Sequence, residues 1–319
     1  MVPVTCFKEC EVVYQYKVTI FTPTYNRAYI LEKLYRSIQR QTFRDFEWLI
    51  VDDGSTDETE KLVRGWMEEN NDFPIRYYKQ ENGGKCRAIN RALDLARGEL
   101  FFVMDSDDYL TDNALERVVY WESTIHHKSG YAGVLGNRGT SEAFSPNRRL
   151  GAPYRDISMF ERYSEYTDKV VDGERADVWY TDIHRKYKYP EFPNEKFMTE
   201  AVVWNRMAND GYIVRAFDEI IWVCNYLDDG LTKAGSSVFI KNPHGAGLVL
   251  KEKAEFLRYA WPTKFKMWYT YYCDHTFCEE AFRLTKQQCA EYVGAPIAAI
   301  YAAAVIHGFI HLFKGRRET

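Results

Sequence analysis

The 319-residue chain lacks a basic excess: 42 Lys and Arg face 46 Asp and Glu, and the formal net charge is -4. Both signs are mixed along the chain. A nucleic-acid binder needs a positive stripe or patch, and none is legible, so no nucleic-acid partner is expected. Cysteine is sparse. Seven thiols, an odd number, are scattered with no CxxC. The close pairs are Cys6/Cys10 and Cys273/Cys278, and neither has histidines at zinc-site spacing. That usage reads as reduced thiols in a cytoplasmic protein. A basic N-terminal region followed by an apolar run is missing, so no signal peptide is expected. Glycine is missing from "TPTYNR", which follows the first apolar run. That excludes a GxGxxG dinucleotide fingerprint there, and the glycine-rich basic loop of a sugar-nucleotide pyrophosphorylase. Internal repeats and low-complexity tracts are absent.

What is present is a regular alternation. Apolar residues make up 46% and aromatic residues 16% of the chain, enough for a substantial core in one large domain or two smaller ones. "KVTIFT" reads as a strand, and Ile30, Leu31, Leu34 and Ile38 then fall on one helical face. "EWLIV" is a second strand. It stops at Asp52-Asp53-Gly54, and Ser55-x-x-Glu58 predicts a capping box for the helix that buries Leu62, Val63 and Trp66. "IRYYK" is a third strand, Asn82-Gly83-Gly84 a turn, and Ala88, Ile89, Ala92 and Ala96 mark a third helix. "ELFFVM" is the fourth strand. Strands and helices at this spacing predict an α/β fold: a mostly parallel twisted sheet with helices on both faces. Further on, residues 114–125 predict a helix, 131–136 a strand, 197–210 a helix, and 212–218 and 220–226 two strands. Residues 137–175 are rich in Arg, Ser, Pro and Tyr without clear periodicity, and residues 245–292 read as mostly helical.

Ligands of such sheets bind beyond the carboxyl ends of the strands. The polar residues collect there: Thr22 to Arg27, Asp52 and Asp53, Asn82 to Lys85, and Asp105 to Asp108. The last group is the most informative. Four apolar residues run straight into Asp105, Asp107 and Asp108, and like charges this close cost stability unless a cation or ligand compensates.

The C-terminal "APIAAIYAAAVIHGFIHLFKGRR" is the most apolar piece, interrupted by His307, Gly308 and His311 and closed by Lys314, Arg316 and Arg317. It is short of a convincing membrane span. It reads either as a helix packed on the domain or as one lying on an anionic membrane surface. His307 and His311 stand at i, i+4, but no HExxH glutamate accompanies them to suggest a metal site.

Together, "VTIFTPTYNRAYILEKLYRSIQRQTFRDFEWLIVDDGSTDET", "ENGGKCRAIN" and "GELFFVMDSDDYL" resemble the family-2 glycosyltransferases, nucleotide-sugar enzymes of the GT-A, Rossmann-like fold. The resemblance covers roughly residues 17–120, with four motifs in order. "NEKFMTEAVVWNRM" and "NYLDDGLT" look like a bacterial branch that builds surface polysaccharides. The resemblance implies a catalytic domain over residues 1–235, with a donor half at about 17–120 and an acceptor half at about 121–235. A helical region, 236–319, would follow. The implied donor is a nucleoside-diphosphate sugar, UDP favoured over GDP or dTDP. The implied acceptor is a glycan or lipid-linked glycan.

The same resemblance distributes roles. Asp105-Ser106-Asp107-Asp108 looks like the DXD motif, with Asp107 the metal ligand for Mn²⁺ or Mg²⁺, helped by Asp108 or a more distant side chain. Asp105 would meet the ribose hydroxyls, with Ser106 also among the residues binding the nucleotide sugar. Hard oxygen ligands with positions left for phosphate oxygens suit these ions. Asp53 would hold the base, with Pro23, Thr24 and Tyr25 lining its pocket and Arg27 approaching the phosphates. Asp52 or Asp53 could instead serve the following helix terminus. Lys85, after two glycines at a helix start, suits an anion, or else points into solvent. Glu200 is the implied catalytic base, with Asp228 and Asp229 in reserve; its bland alternative is an acid complementing a helix dipole. Trp204 reads as helix core rather than acceptor platform. Two other classes stay in view. A DxD after an apolar strand also marks haloacid-dehalogenase phosphatases, although there it follows the first strand. A degenerate transferase could also persist as a non-catalytic binding module.

Overall fold

The computed structural model describes residues 13–163, 171–225 and 235–314. The predicted alternation is present. β1 (Tyr16–Thr24), α1 (Leu31–Gln39), β2 (Phe46–Asp52), α2 (Thr59–Glu68), β3 (Ile75–Lys79), α3 (Lys85–Leu95) and β4 (Gly98–Val103) follow one another. The chain continues through β5 (Tyr109–Leu110), α4 (Ala114–Ser123), β6 (Tyr131–Gly139), β7 (Arg155–Ser158), α5 (Met159–Tyr163), β8 (Arg175–Tyr180), α6 (Thr181–Lys186), α7 (Ala201–Asn209) and β9 (Ile213–Val223). The strands join one sheet in the order β3-β2-β1-β4-β8-β6-β9-β5, with β7 also on β9. From β3 to β4 every ladder is parallel. Beyond β4 the sheet is mixed: β8 runs antiparallel to both β4 and β6, while β6 and β9 are parallel.

Period-two side-chain alternation explains why both faces are covered. Val18 and Ile20 of β1, Trp48 and Ile50 of β2, and Leu100 and Phe102 of β4 pack with Leu34 of α1, Trp66 of α2 and Val118 of α4. Their neighbours Phe21, Leu49, Val51 and Phe101 point the other way, onto Ile89 and Leu93 of α3 and Val203 of α7. Each such fully buried apolar side chain contributes about 1.5–3 kcal/mol.

Several expectations need correction. No capping box forms at Ser55; α2 starts at Thr59 without a side-chain cap from its preceding residue. Ser55 Oγ instead accepts from Asn26 N (2.8 Å), and Asp57 accepts the N–H groups of Thr59 and Ala28, so these residues tie two rim loops together. The two strands predicted over 212–226 are one strand, β9. The polar pair Asp218-Glu219 reads as a break, but each finds a partner: Asp218 accepts from Leu150 N, and Glu219 pairs with Arg117. A register shift against β6 absorbs the irregularity. The helix predicted from residue 197 begins only at Ala201. The aperiodic stretch 137–175 contains β7 and α5, elements of four and five residues, too short to show a period.

The C-terminal part is helical: α8 (Ser237–Ile240), α9 (Pro243–Phe256), α10 (Trp261–Thr276), a 3-10 turn (Glu280–Phe282), α11 (Lys286–Val293) and α12 (Ile297–Lys314). It carries a cluster of its own, built on Trp268, Tyr271, Tyr272, Cys289, Val293 and Ile300. Among the described residues, no helix is long and apolar enough to cross a membrane. His307 stacks on Phe277 with ring centroids 4.2 Å apart, and its Nδ1 lies 3.4 Å from Cys273 Sγ.

Candidate active site

The carboxyl ends of β1, β2, β3 and β4 open onto a cavity of about 960 Å³. Eleven residues singled out in the sequence line it: Pro23, Thr24, Tyr25, Arg27, Asp53, Lys85, Asp105, Ser106, Asp107, Asp108 and Glu200. Trp204 lines it too, while also packing against the core cluster beneath α7. Asp228 and Asp229 lie outside the described residues.

The two acids at the end of β2 have different partners. Asp52 is fully buried; its Oδ1 accepts from Ser55 N (2.6 Å) and its Oδ2 from Tyr77 Oη (2.5 Å). It fixes the turn. Asp53 opens on the cavity and gathers the loop that follows β3. Its Oδ1 accepts from Gly83 N (2.9 Å) and Gln80 Nε2 (2.7 Å), its Oδ2 from Gly84 N (2.7 Å) and Asn82 Nδ2 (3.1 Å). Gly84 is required here. Its φ is +94°, and a Cβ would fall 1.7 Å from Lys196 O. Lys196 belongs to the segment leading to α7 and reaches back, Nζ to Asn82 Oδ1, at 2.7 Å.

Lys85 does not point into solvent. Its Nζ lies 2.7 Å from Asp105 Oδ1 and 2.8 Å from Glu200 Oε1. Burial alone would pull the ammonium down, but the two carboxylates outweigh it and hold Lys85 above its ordinary value. Burial pushes Asp105 up, and Lys85, then Arg138, more than reverse this, so its carboxyl titrates below the usual range. Asp107 moves the other way: burial and then the Asp105 charge raise it. Asp108 is pushed up to about 6, chiefly by burial. Both Asp108 oxygens are engaged by the end of β9 and the residues after it: Oδ2 accepts from Trp222 Nε1 (2.6 Å) and Oδ1 from Asn225 N (2.7 Å).

Among the described residues, no group of three or more His, Cys, Asp and Glu side chains is arranged to hold a metal by itself. Asp107 is nevertheless suited to a shared site. It is a hard-oxygen carboxylate lining the cavity, raised by burial and by its like-charged neighbour; Asn225 Nδ2 donates to its backbone oxygen, and no side chain among the described residues bonds its carboxyl oxygens. A Mg²⁺ or Mn²⁺ site completed by phosphate oxygens needs only one or two such ligands.

Sequence reasoning missed three arginines on the same cavity: Arg138 on β6, Arg162 on α5 and Arg175 on β8. The Arg-rich composition of residues 137–175 was a signal, but nothing local said which side chains would turn inward.

The fold and site define an α/β protein with a cavity at the carboxyl ends of its parallel strands and an acidic rim after the fourth. The chain belongs to glycosyl transferase family 2, whose family model matches residues 19–187. A curated relative, the GalNAc(5)-diNAcBac-PP-undecaprenol beta-1,3-glucosyltransferase of Campylobacter jejuni, is 40% identical over 207 residues, 63% of each chain. The chain spans less than two thirds of the length of the curated relatives it matches. Among solved structures, Staphylococcus aureus TarS 1-349 in complex with UDP-GlcNAc is 16% identical over 90% of both chains, with a TM-score of 0.57. The mannosyltransferase PcManGT from Pyrobaculum calidifontis, in complex with GDP-Man and Mn²⁺, is 19% identical over 92% of this chain and 87% of that one, with a TM-score of 0.52. These likenesses establish the GT-A fold.

Proposed function

We propose that this chain transfers a sugar from a nucleoside-diphosphate sugar to a hydroxyl of a glycan or lipid-linked glycan, with inversion at the anomeric carbon. The observation that carries the reading is the Lys85 ammonium held between Asp105 Oδ1 and Glu200 Oε1. It joins the acid that ends the donor half to the acid that opens α7, inside one cavity. UDP is the favoured nucleotide; TarS, of the same fold, carries UDP-GlcNAc. The name of the Campylobacter relative includes an undecaprenol-linked glycan, which favours an acceptor of that kind. The catalytic unit spans residues 1–235, followed by the helical region 236–319.

In this reading Asp53 and the Pro23-Thr24-Tyr25 turn hold the base, Asp105 meets the ribose hydroxyls, Ser106 also binds the nucleotide sugar, and Arg27 approaches the phosphates. Asp107 is the ligand for Mn²⁺ or Mg²⁺. Asp108, with both oxygens engaged, acts by fixing the loop against β9. A divalent cation, when bound, supplies charge stabilisation to the departing diphosphate. Glu200 takes the proton from the acceptor hydroxyl as its oxygen forms a bond to the anomeric carbon and the bond to the diphosphate breaks. Lys85 keeps the Glu200 carboxylate oriented before the acceptor arrives. We place the protein at a cytoplasmic membrane face, touching it peripherally through α12.

Glu200→Gln keeps an oxygen for Lys85 and loses the base. Nucleotide binding in a thermal-shift assay is expected to stay near wild type, while kcat falls roughly 10²-fold or more. Asp107→Ala is expected to remove the part of that binding that depends on Mn²⁺. Full activity in the Gln variant would remove Glu200 from its role. Absence of stabilisation by any nucleoside diphosphate, with or without Mn²⁺, would end the transferase reading.

A further inference from the structure

The sheet edge that carries acids on β2 and β4 carries arginines beyond β4. Because β8 is antiparallel to both β4 and β6, the end of β6 and the start of β8 share an edge with the end of β4. Arg138 lies at that end of β6 and Arg175 at that start of β8; Arg162 comes from α5, and all three line the cavity. They belong to its acceptor half.

Among the described residues, Arg138 and Arg175 each leave one buried guanidinium nitrogen without a hydrogen-bond partner. Arg162 Nη1 pairs with Asp177 Oδ1 at 2.9 Å, with side chains only 4% and 12% exposed. Arg138 lays its guanidinium 3.6 Å over the Trp222 ring. The acid paired with it, Glu174, is 3.5 Å away and 71% exposed. Arg138 Nε is buried and, among the described residues, has no hydrogen-bond partner. Arg175 is fully buried; Nε and Nη2 donate to backbone carbonyls, while Nη1 also lacks a hydrogen-bond partner and lies 3.8 Å from Asp218 Oδ1. Two of the three guanidinium groups thus keep a buried nitrogen that no described residue bonds, while Asp105 and Asp177 both act on the Arg138 charge. A guanidinium with an unmade hydrogen bond has bonding capacity left for an anion that enters the cavity.

We propose that this arginine wall is a subsite for an oxyanion carried by the acceptor, a phosphate or a carboxylate, met by Arg138 with Arg162 beside it and Arg175 adding positive potential from behind. The inference rests on the transferase reading of the cavity and adds that the acceptor is acidic. A planar guanidinium fork suits either oxyanion. The anion comes from a diphosphate-linked lipid or from an acidic sugar unit.

The test uses the full chain with its donor site filled by UDP and Mn²⁺, titrated with octyl glucuronide, farnesyl diphosphate and neutral octyl glucoside. At least one anionic probe is expected to bind about tenfold or more tightly than octyl glucoside, the size of one charge-assisted hydrogen bond. Preference for the glucuronide assigns an acidic sugar; preference for farnesyl diphosphate assigns a diphosphate-linked lipid. Arg138→Gln is expected to remove the preference and leave UDP affinity unchanged. Equal binding of charged and neutral probes by the wild-type protein, a result that needs no variant to fold, overturns the subsite. Loss of UDP affinity in Arg138→Gln also overturns it, by moving Arg138 to the donor. Failure of both UDP and GDP to bind the wild-type chain is a different result: it ends the transferase reading underneath.

Discussion

Asp52, Asp53, Asp105, Asp107 and Asp108 carry the same carboxyl group, and their partners separate them. Asp52 and Asp108, each accepting one backbone N–H and one side-chain donor, serve the frame; Asp105 faces an ammonium; no side chain among the described residues bonds the Asp107 carboxylate. A different buried group shows how costly an unmatched polar atom can be. His184 lies among Phe101, Trp179 and Tyr189, and neither ring nitrogen has a hydrogen-bond partner among the described residues. Burial lowers its pKa from 6.5 to about 3. The folded protein therefore keeps His184 neutral while the unfolded chain takes up a proton below about 6.5. Stability is lost as pH falls from that point toward about 3, because the unfolded state binds more protons throughout the window. His184→Phe, which suits the aromatic surroundings, is expected to match or exceed wild-type stability near neutral pH, with an advantage that grows as pH falls below 6.5. Melting curves of the two proteins across that range check it; parallel pH profiles would mean His184 is not held neutral.

At the scale of elements, the decisive junction is where β3 passes into α3. Gly84 precedes α3 in a left-handed conformation, its N–H held by Asp53 and its Cα pressed toward Lys196 O. Gly84→Ala is expected to lower stability by about 1–3 kcal/mol from the backbone alone, with more from the clash. It should also weaken nucleotide binding by loosening the loop around Asp53. Gly83→Ala is the milder control, since a Cβ there meets the flexible Arg87 side chain. Equal melting temperatures for Gly84→Ala and wild type would refute the close approach. The donor half was legible in the sequence because its signals are local: short apolar runs in β1, β2 and β4, period 3.6 in α1 to α3, and polar residues at each strand end. The acceptor half was not. β8 enters between β4 and β6, a long-range pairing that no window of sequence contains, and that insertion brings Arg138 and Arg175 to the rim. Ser55 misled for a related reason: its partner, Asn26, comes from another strand's loop.

At the scale of the whole molecule, the C-terminal helices leave one face of α12 uncovered. Ala299, Ile300 and Ala303 turn inward to the cluster of Trp268 and Tyr272, while Tyr301, Val305, Ile306, Phe309 and Ile310 are exposed. An apolar stripe of this size, on a helix that among the described residues is not long and apolar enough to cross a membrane and with Lys314, Arg316 and Arg317 at its end in the sequence, has the make-up of an interfacial helix on an anionic surface. Such a position would suit an enzyme whose acceptor is anchored in lipid. The attraction has two parts, apolar insertion and charge, and salt screens only the second. Wild-type protein is therefore expected to sediment with phosphatidylglycerol vesicles at low ionic strength and to be partly released by salt. A Val305→Glu, Phe309→Glu double variant should stay in the supernatant at any salt concentration, with an unchanged melting temperature because neither side chain is buried. If wild-type protein ignores the vesicles and instead runs as a dimer that the double variant dissociates, the stripe is a contact between copies, and the membrane assignment fails.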